Sequence, residues 1–265
     1  MRLTVVGCAG SFAGPDSAAS CYLVSAEDAD GRTWNVVLDL GSGAFGPLQR
    51  YVDPFAVDAV ALSHMHPDHS ADLTGLHVYL RYRPRSLGGP QAGGEQLPVW
   101  GPPDAAERFV AFDGHEPGAC AYRFEAWPLG GSVRVGPLRL EPFEAWHPVP
   151  ACSLRITGPS DHDPASSVTL AYTGDTDVCD GVRRAAAGAD ALLSEAAFVP
   201  GRDDHIAGLH LTGVQAGQIA AEAGVARLLL THLPSWNDPA RAVADAASVY
   251  DGDVEVVRPG AAYAW

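Results

Sequence analysis

Three histidines and an aspartate crowd into six residues, His64-Met65-His66-Pro67-Asp68-His69, directly behind the short apolar run 59–62. No other feature restricts the fold as much. Imidazole nitrogens suit zinc, and a carboxylate beside them can act as a ligand or as a proton shuttle. A turn of this length can aim His64 and His66 one way and Asp68 and His69 another, so one motif can feed two metals. It cannot complete two metal shells, and further ligands have to come from distant strand ends. Three residues qualify: His147 after 143–146, Asp175 after the apolar run 168–172, and His232 after Leu228-Leu229-Leu230-Thr231. Taken singly, each reads as an ordinary turn residue. Together, in this order after the first motif, they read as the rest of a metal site.

The hydrophobic patterning supplies the strand ends that this reading requires. Runs rich in β-branched and aromatic residues predict strands over 3–7, 22–25 and 34–39, with another at 59–62. A helix is predicted over 71–81, with Leu73, Leu76 and Leu80 on one face and Pro84 ending it. From residue 122 to 157 the pattern is hairpin-like, with strands at 132–135 and 138–140 around Gly136-Pro137. Strands at 168–172, 191–194, 227–231 and 254–257 then alternate with helices at 181–187, 214–223 and 239–249, and Gly224 caps the second of these. Strands first, a β-rich middle and a βαβα end suit an α/β chain whose two sheets lie between helices, an αββα sandwich. The polar residues singled out recur at strand ends, where open α/β architectures place their sites.

With 265 residues and 47% apolar content, the chain suits one large α/β domain over 1–265. The Gly/Pro-rich stretch 84–98 is read as a surface loop within it. The first residues lack the apolar run of about 7–15 that a signal peptide needs. No stretch reaches the roughly 18 apolar residues of a membrane helix. Five cysteines with no C-x-x-C pair point to a reducing, cytoplasmic setting and no membrane. All 17 basic residues are arginine, and the formal charge of −15 repels a long polyanion unless a local basic patch overrides it. Arg81, Arg83 and Arg85 form the densest basic run, read as a solvated face. His77 is read as a packing or surface residue. His115, His162 and His205 fall in polar loops, and His205 reads as exposed.

The H-x-H-x-D-H run, followed in order by His147, Asp175 and His232, resembles the metallo-β-lactamase superfamily over essentially the whole length. Asp39, in Leu38-Asp39-Leu40-Gly41, matches the family's early D-x-G, a structural aspartate near the site. The resemblance implies two divalent metals, zinc foremost with manganese as an alternative. One would be held by His64, His66, His147 and Asp175, the other by Asp68, His69, Asp175 and His232, with Asp175 bridging. An aspartate at the bridging position, where several lactamases carry cysteine, points to the hydrolase and phosphodiesterase branches.

Two further segments, Leu192-Leu193-Ser194-Glu195 and His210-Leu211-Thr212-Gly213, resemble the phosphodiesterase branch that includes tRNase Z and cyclic-nucleotide phosphodiesterases. There the histidine lies near the scissile phosphate and the glutamate positions it, which assigns those roles to His210 and Glu195. The endonuclease usually has histidine where this chain has Ser194. Its basic arm is inserted between the third histidine and the bridging aspartate, and here only 27 residues separate His147 from Asp175. The segments Val6 to Ser20 and Thr231 to Trp236 resemble actinobacterial proteins of this fold linked to cyclic AMP degradation. The expected substrate is therefore a small phosphodiester, 3′,5′-cyclic AMP foremost, with Asp68, Glu195 and His210 catalytic. A tRNA 3′-processing endonuclease and a thioester or lactone hydrolase are the alternatives. Homodimers are common in the branch, and one is expected by that analogy.

Overall fold

The computed structural model describes residues 1–84, 95–114, 120–163 and 165–265. Arg85, His115, Pro164 and most of the 84–98 loop lie outside the described residues. Among the described residues the chain forms two seven-stranded sheets. The first contains β1 (Arg2–Gly7), β2 (Cys21–Glu27), β3 (Thr33–Leu38), β4 (Ala59–Ala61), β5 (Leu97–Gly101), β6 (Tyr122–Ala126) and β14 (Ala262–Ala264). The second contains β7 (Val133–Val135), β8 (Leu138–Glu144), β9 (Cys152–Pro159), β10 (Ser167–Tyr172), β11 (Ala191–Glu195), β12 (Arg227–Thr231) and β13 (Asp253–Val256). Their orders are β14-β1-β2-β3-β4-β5-β6 and β13-β12-β11-β10-β9-β8-β7. Each sheet is antiparallel in one part and parallel in another, β3 to β6 and β10 to β13 being the parallel runs.

Alternation along the strands divides the apolar residues between layers. Leu3, Val5, Tyr22, Val24, Val36 and Leu38 face inward and meet Leu140, Leu154, Ile156, Leu170, Tyr172 and Leu193 of the other sheet. Their neighbours Val6, Leu23 and Val37 point outward, where Leu73 and Leu76 of α3 (Leu73–Tyr82) and Phe109 of α4 (Ala105–Asp113) cover them. On the far side, Ala171, Leu192, Leu228 and Leu230 pack under α5 (Asp180–Ala186), α6 (Gly213–Ala223) and α7 (Pro239–Ala247). Helix, sheet, sheet, helix is the sandwich that the sequence predicts. Each buried leucine in these layers contributes about 1.5–3 kcal/mol.

The predicted helix 71–81 differs in form. Pro67 opens a single turn, α2 (Pro67–Ser70), and the longer α3 starts only at Leu73. Asp72 causes the break: its N–H donates to Leu40 O at 3.1 Å and its Oδ2 accepts from Phe45 N at 2.8 Å. Those bonds tie residues 71–72 to the loop after β3 and to α1 (Phe45–Leu48), out of the helical path. β5, α4 and β14 are elements the sequence reading did not separate, and β5 takes in Leu97 and Pro98 from the supposed loop. His77 is fully buried, which settles it as a packing residue, while His162 and His205 are exposed.

Candidate metal centre

The predicted site residues gather at one edge of the sandwich, several of them at or just past the C-terminal ends of parallel strands, while His147 follows the antiparallel β8 and His210 lies in the loop before α6. Asp39 follows β3, His64 follows β4, Asp175 follows β10, Glu195 ends β11 and His232 follows β12. The turns that achieve this need unusual backbone. Asp39 and His232 adopt positive φ of 54° and 57°. Gly41 lies so close to the carbonyl of Asp68 that a Cβ would sit 1.9 Å from its oxygen, which explains the glycine of D-x-G.

Three donor clusters result: His64, His66 and His147; Asp68, His69, Asp175 and His232; and Glu195 and His210, which share His232 with the second. In the first, His66 Nδ1 lies 3.1 Å from both His64 Nε2 and His147 Nε2. In the second, His232 Nε2 lies 3.1 Å from Asp68 Oδ2, 3.4 Å from Asp175 Oδ1 and 3.2 Å from His69 Nε2. A tetrahedral ion with bonds of about 2.0–2.1 Å has donors about 3.3 Å apart, and these spacings match that edge. Asp175 turns Oδ1 towards His69 at 3.2 Å and Oδ2 towards His64 at 3.7 Å, so its two oxygens face different clusters. Asp175 Oδ1 is buried, and among the described residues it accepts no hydrogen bond. An orphaned carboxylate oxygen among imidazole nitrogens fits a metal and little else.

The outer partners set the tautomers. Asp39 is fully buried and its Oδ2 accepts from His69 Nδ1, Ser63 Oγ and Tyr172 Oη, each at 2.7 Å. Ser63 Oγ in turn accepts from His64 Nδ1 at 3.0 Å, and Leu209 O accepts from His147 Nδ1 at 3.0 Å. With Nδ1 donating outward, His64 and His147 offer the Nε2 lone pair to the first cluster, and His69 turns its Nε2 towards the second. Burial pushes His64 and His66 below the usual histidine range and takes His147 down to about 4, so these rings are neutral donors. Burial also opposes a charge on His69, but Asp175, Asp39 and Asp68 outweigh it and raise its pKa well above the ordinary value. Burial alone would raise Asp68 and Asp175, yet the surrounding histidines hold both well below the carboxylate range. Negative charge gathered at one spot favours a cation there.

His210 sits beside the first two clusters and forms the third with Glu195 and His232. Its Nδ1 donates to Glu195 Oε1 at 3.1 Å and lies 3.9 Å from Asp175 Oδ2. Glu195 is fully buried, also accepts from Thr176 N at 2.7 Å, and so has its oxygens engaged. Burial disfavours the imidazolium, but the contact with Glu195 and the field of Asp175 raise the His210 pKa to about 9. The ring is held edge-on by Phe198, with centroids 5.0 Å apart. Thr212 N-caps α6 through a capping box with Gln215, which leaves His210 just outside the helix.

A family model described as a Beta-lactamase superfamily domain matches residues 34–233. The chain belongs to that superfamily. An uncharacterized protein of Mycobacterium tuberculosis is 40% identical over 262 residues, covering 97% of this chain and 89% of its own length. A probable metallo-hydrolase of Bacillus subtilis, YhfI, is 32% identical over 263 residues and 98% of each chain, and its crystal structure superposes with a TM-score of 0.83 over 99% of this chain and 98% of its own. Ribonuclease Z of Haloferax volcanii is 25% identical over 309 residues, covering 98% of this chain and 93% of its own. The β-lactamase-superfamily chain is thus a metallo-hydrolase of this fold, with a histidine and aspartate cluster able to hold metal ions.

Sequence reasoning missed several members of the site. Ser63 relays between His64 and Asp39, and its position one residue before the motif is the signal that could have found it. Asp177 is buried, and its Oδ2 accepts from Gly208 N at 2.7 Å, anchoring the segment that leads to His210. The spacing Asp175-Thr176-Asp177 hints at it. Phe12 and Trp236 fall inside the two segments that carry the actinobacterial resemblance but are not singled out there, and Arg202 left no signal.

Proposed function

We propose that this metallo-hydrolase is a dinuclear phosphodiesterase that hydrolyses a small phosphodiester, 3′,5′-cyclic AMP foremost, to the nucleoside monophosphate. The observation that carries the reading is His210: a largely buried imidazole whose Nδ1 is taken by a buried glutamate, beside the bridging carboxylate and outside the two clusters that contain the histidine motif. His64, His66, His147 and Asp175 would hold one ion and Asp68, His69, Asp175 and His232 the other, and this mix of nitrogen and carboxylate donors suits zinc. Divalent ions held there would supply Lewis acidity towards a phosphoryl group and a more acidic attacking water. Asp68, with Oδ2 facing His232 and His69, can take up the proton that the water gives up.

Expelling an alkoxide from a diester needs a proton. The contact with Glu195 favours the protonated form of His210 and fixes the direction in which its proton is offered. A thioester or lactone hydrolase would leave this pair without a task. Small size of the substrate is supported by the connection between β9 and β10, which is only residues 160–166 and leaves no room for a basic arm. The aligned stretch of the Haloferax ribonuclease, 309 residues, exceeds this whole chain, so that relative carries segments this chain lacks.

The test compares two substrates on one preparation. His210→Ala should lower turnover of an alkyl diester by roughly 10²–10⁴ with metal content unchanged. Hydrolysis of bis-nitrophenyl phosphate, whose leaving group needs no proton, should fall much less. Equal losses on both would assign His210 to phosphate binding instead, and no loss on either would remove the ground for this branch.

A further inference from the structure

The cleft that exposes His210 has a second wall, aromatic and exposed, that the proton transfer does not use. It encloses about 440 Å³ and is lined by Ser11, Phe198, Arg202, His210 and Trp236 among others. Trp236 is 65% exposed and Phe12 37% exposed, yet the two rings pair at 5.0 Å with an interplanar angle of 42°. Large aromatic rings left in water but fixed in position are what a ligand surface presents.

The backbone fixes them to the metal centre. His232 N donates to Cys8 O at 3.0 Å and Gly10 N donates to Leu233 O at 3.1 Å, which laces the loop before Phe12 to the loop before Trp236. Gly10 packs so tightly that a Cβ would lie 2.1 Å from His232 O. Ser11, at a positive φ of 63°, brings its N–H to 3.2 Å from His232 Nε2. The aromatic pair therefore stands at a set distance from the clusters, on rigid supports. On the same side, the guanidinium of Arg202 is locked between Asp203, at 2.8 Å, and Asn237 Oδ1, at 2.8 Å.

A phosphodiester seated at the clusters, with its leaving oxygen towards His210, extends its ester substituent into this cleft. The volume suits one nucleotide and not a strand. We infer that Trp236, braced by Phe12, is the stacking platform for the nucleobase of a mononucleotide substrate, and that it selects nucleotides over alkyl diesters. The inference rests on the phosphodiesterase reading and deepens it.

Binding of adenosine 5′-monophosphate and of ribose 5′-phosphate to the metal-loaded protein isolates the base, because the two ligands share sugar and phosphate. Base stacking on an aromatic side chain is worth about 1–3 kcal/mol, and about 1.4 kcal/mol is tenfold. Trp236→Ala should therefore weaken the adenosine monophosphate by about tenfold to a hundredfold and leave ribose phosphate unchanged. Trp236→Phe should retain most of the affinity. In turnover, Trp236→Ala should raise KM for 3′,5′-cyclic AMP by a similar factor with kcat within about twofold. Equal affinity of the two ligands for the unaltered protein, or equal losses in Trp236→Ala, would overturn the inference. Since the binding comparison needs no turnover, a protein that hydrolyses no phosphodiester would sink the phosphodiesterase reading separately.

Discussion

Asp39 and Asp175 divide the work of the metal centre between support and contact. Asp175 belongs to the second cluster and turns Oδ2 towards His64 of the first; on the proposed reading it bridges both ions, so Asp175→Ala should strip most of both metals and nearly all activity. Asp39 touches neither cluster opening, but it fixes His69 directly and His64 through Ser63. Losing such an outer partner costs about 10–100-fold in metal affinity or activity. Asp39→Asn should fall in that range by metal titration and Asp175→Ala well beyond it. Full metal retention in Asp175→Ala would remove the bridge from the account. The residues of the proposed metal site were legible in the sequence because four of them sit in six consecutive residues and the rest follow strand ends. The pairing of Phe12 with Trp236 was not, since it joins two loops far apart in the chain through contacts that no local pattern records.

At the scale of elements, legibility followed the strength of the local pattern. The parallel strands around the site are continuous buried apolar runs, and α6 declares itself by Thr212, Gln215 and Gly224, the last at φ 69°. β5 contains Pro98 and Gly101, and β14 is three residues long, formed by pairing with β1. Neither carries a pattern of its own. The split between α2 and α3 depends on hydrogen bonds from Asp72 to distant loops, which periodicity cannot report. The contact between α6 and α7 likewise depends on a tertiary fit. A Cβ on Gly217 would lie 2.6 Å from Ala246 O and 2.9 Å from Val249 Cγ2. Gly217→Ala gains about 1 kcal/mol in helix propensity, but overpacking against backbone costs about 1–3 kcal/mol. The clash should win, lowering the urea midpoint at unchanged slope, with metal content per folded molecule unaltered. A raised midpoint would show that the two helices part easily.

Across the whole molecule, charge and topology restrict what can approach the site. Arginines are engaged locally: Arg32 with Asp58, Arg139 with Glu141, Arg227 with Asp253 and Arg241 with Asp245. In the densest basic run, Arg83 pairs with Asp53 and lies over the rings of Phe55 and Tyr79. A net charge of −15, with many of the described arginines paired with carboxylates, disfavours a long polyanion and tolerates a small one drawn to the metals. Among the described residues no helix is long and apolar enough to cross a membrane. The most direct measurement is turnover of the metal-loaded protein on 3′,5′-cyclic AMP beside precursor tRNA, each with and without a chelator. The account predicts conversion of cyclic AMP to the monophosphate, lost on chelation and restored by zinc or manganese, with precursor tRNA processed poorly. Efficient cleavage of precursor tRNA alongside inert cyclic AMP would contradict it.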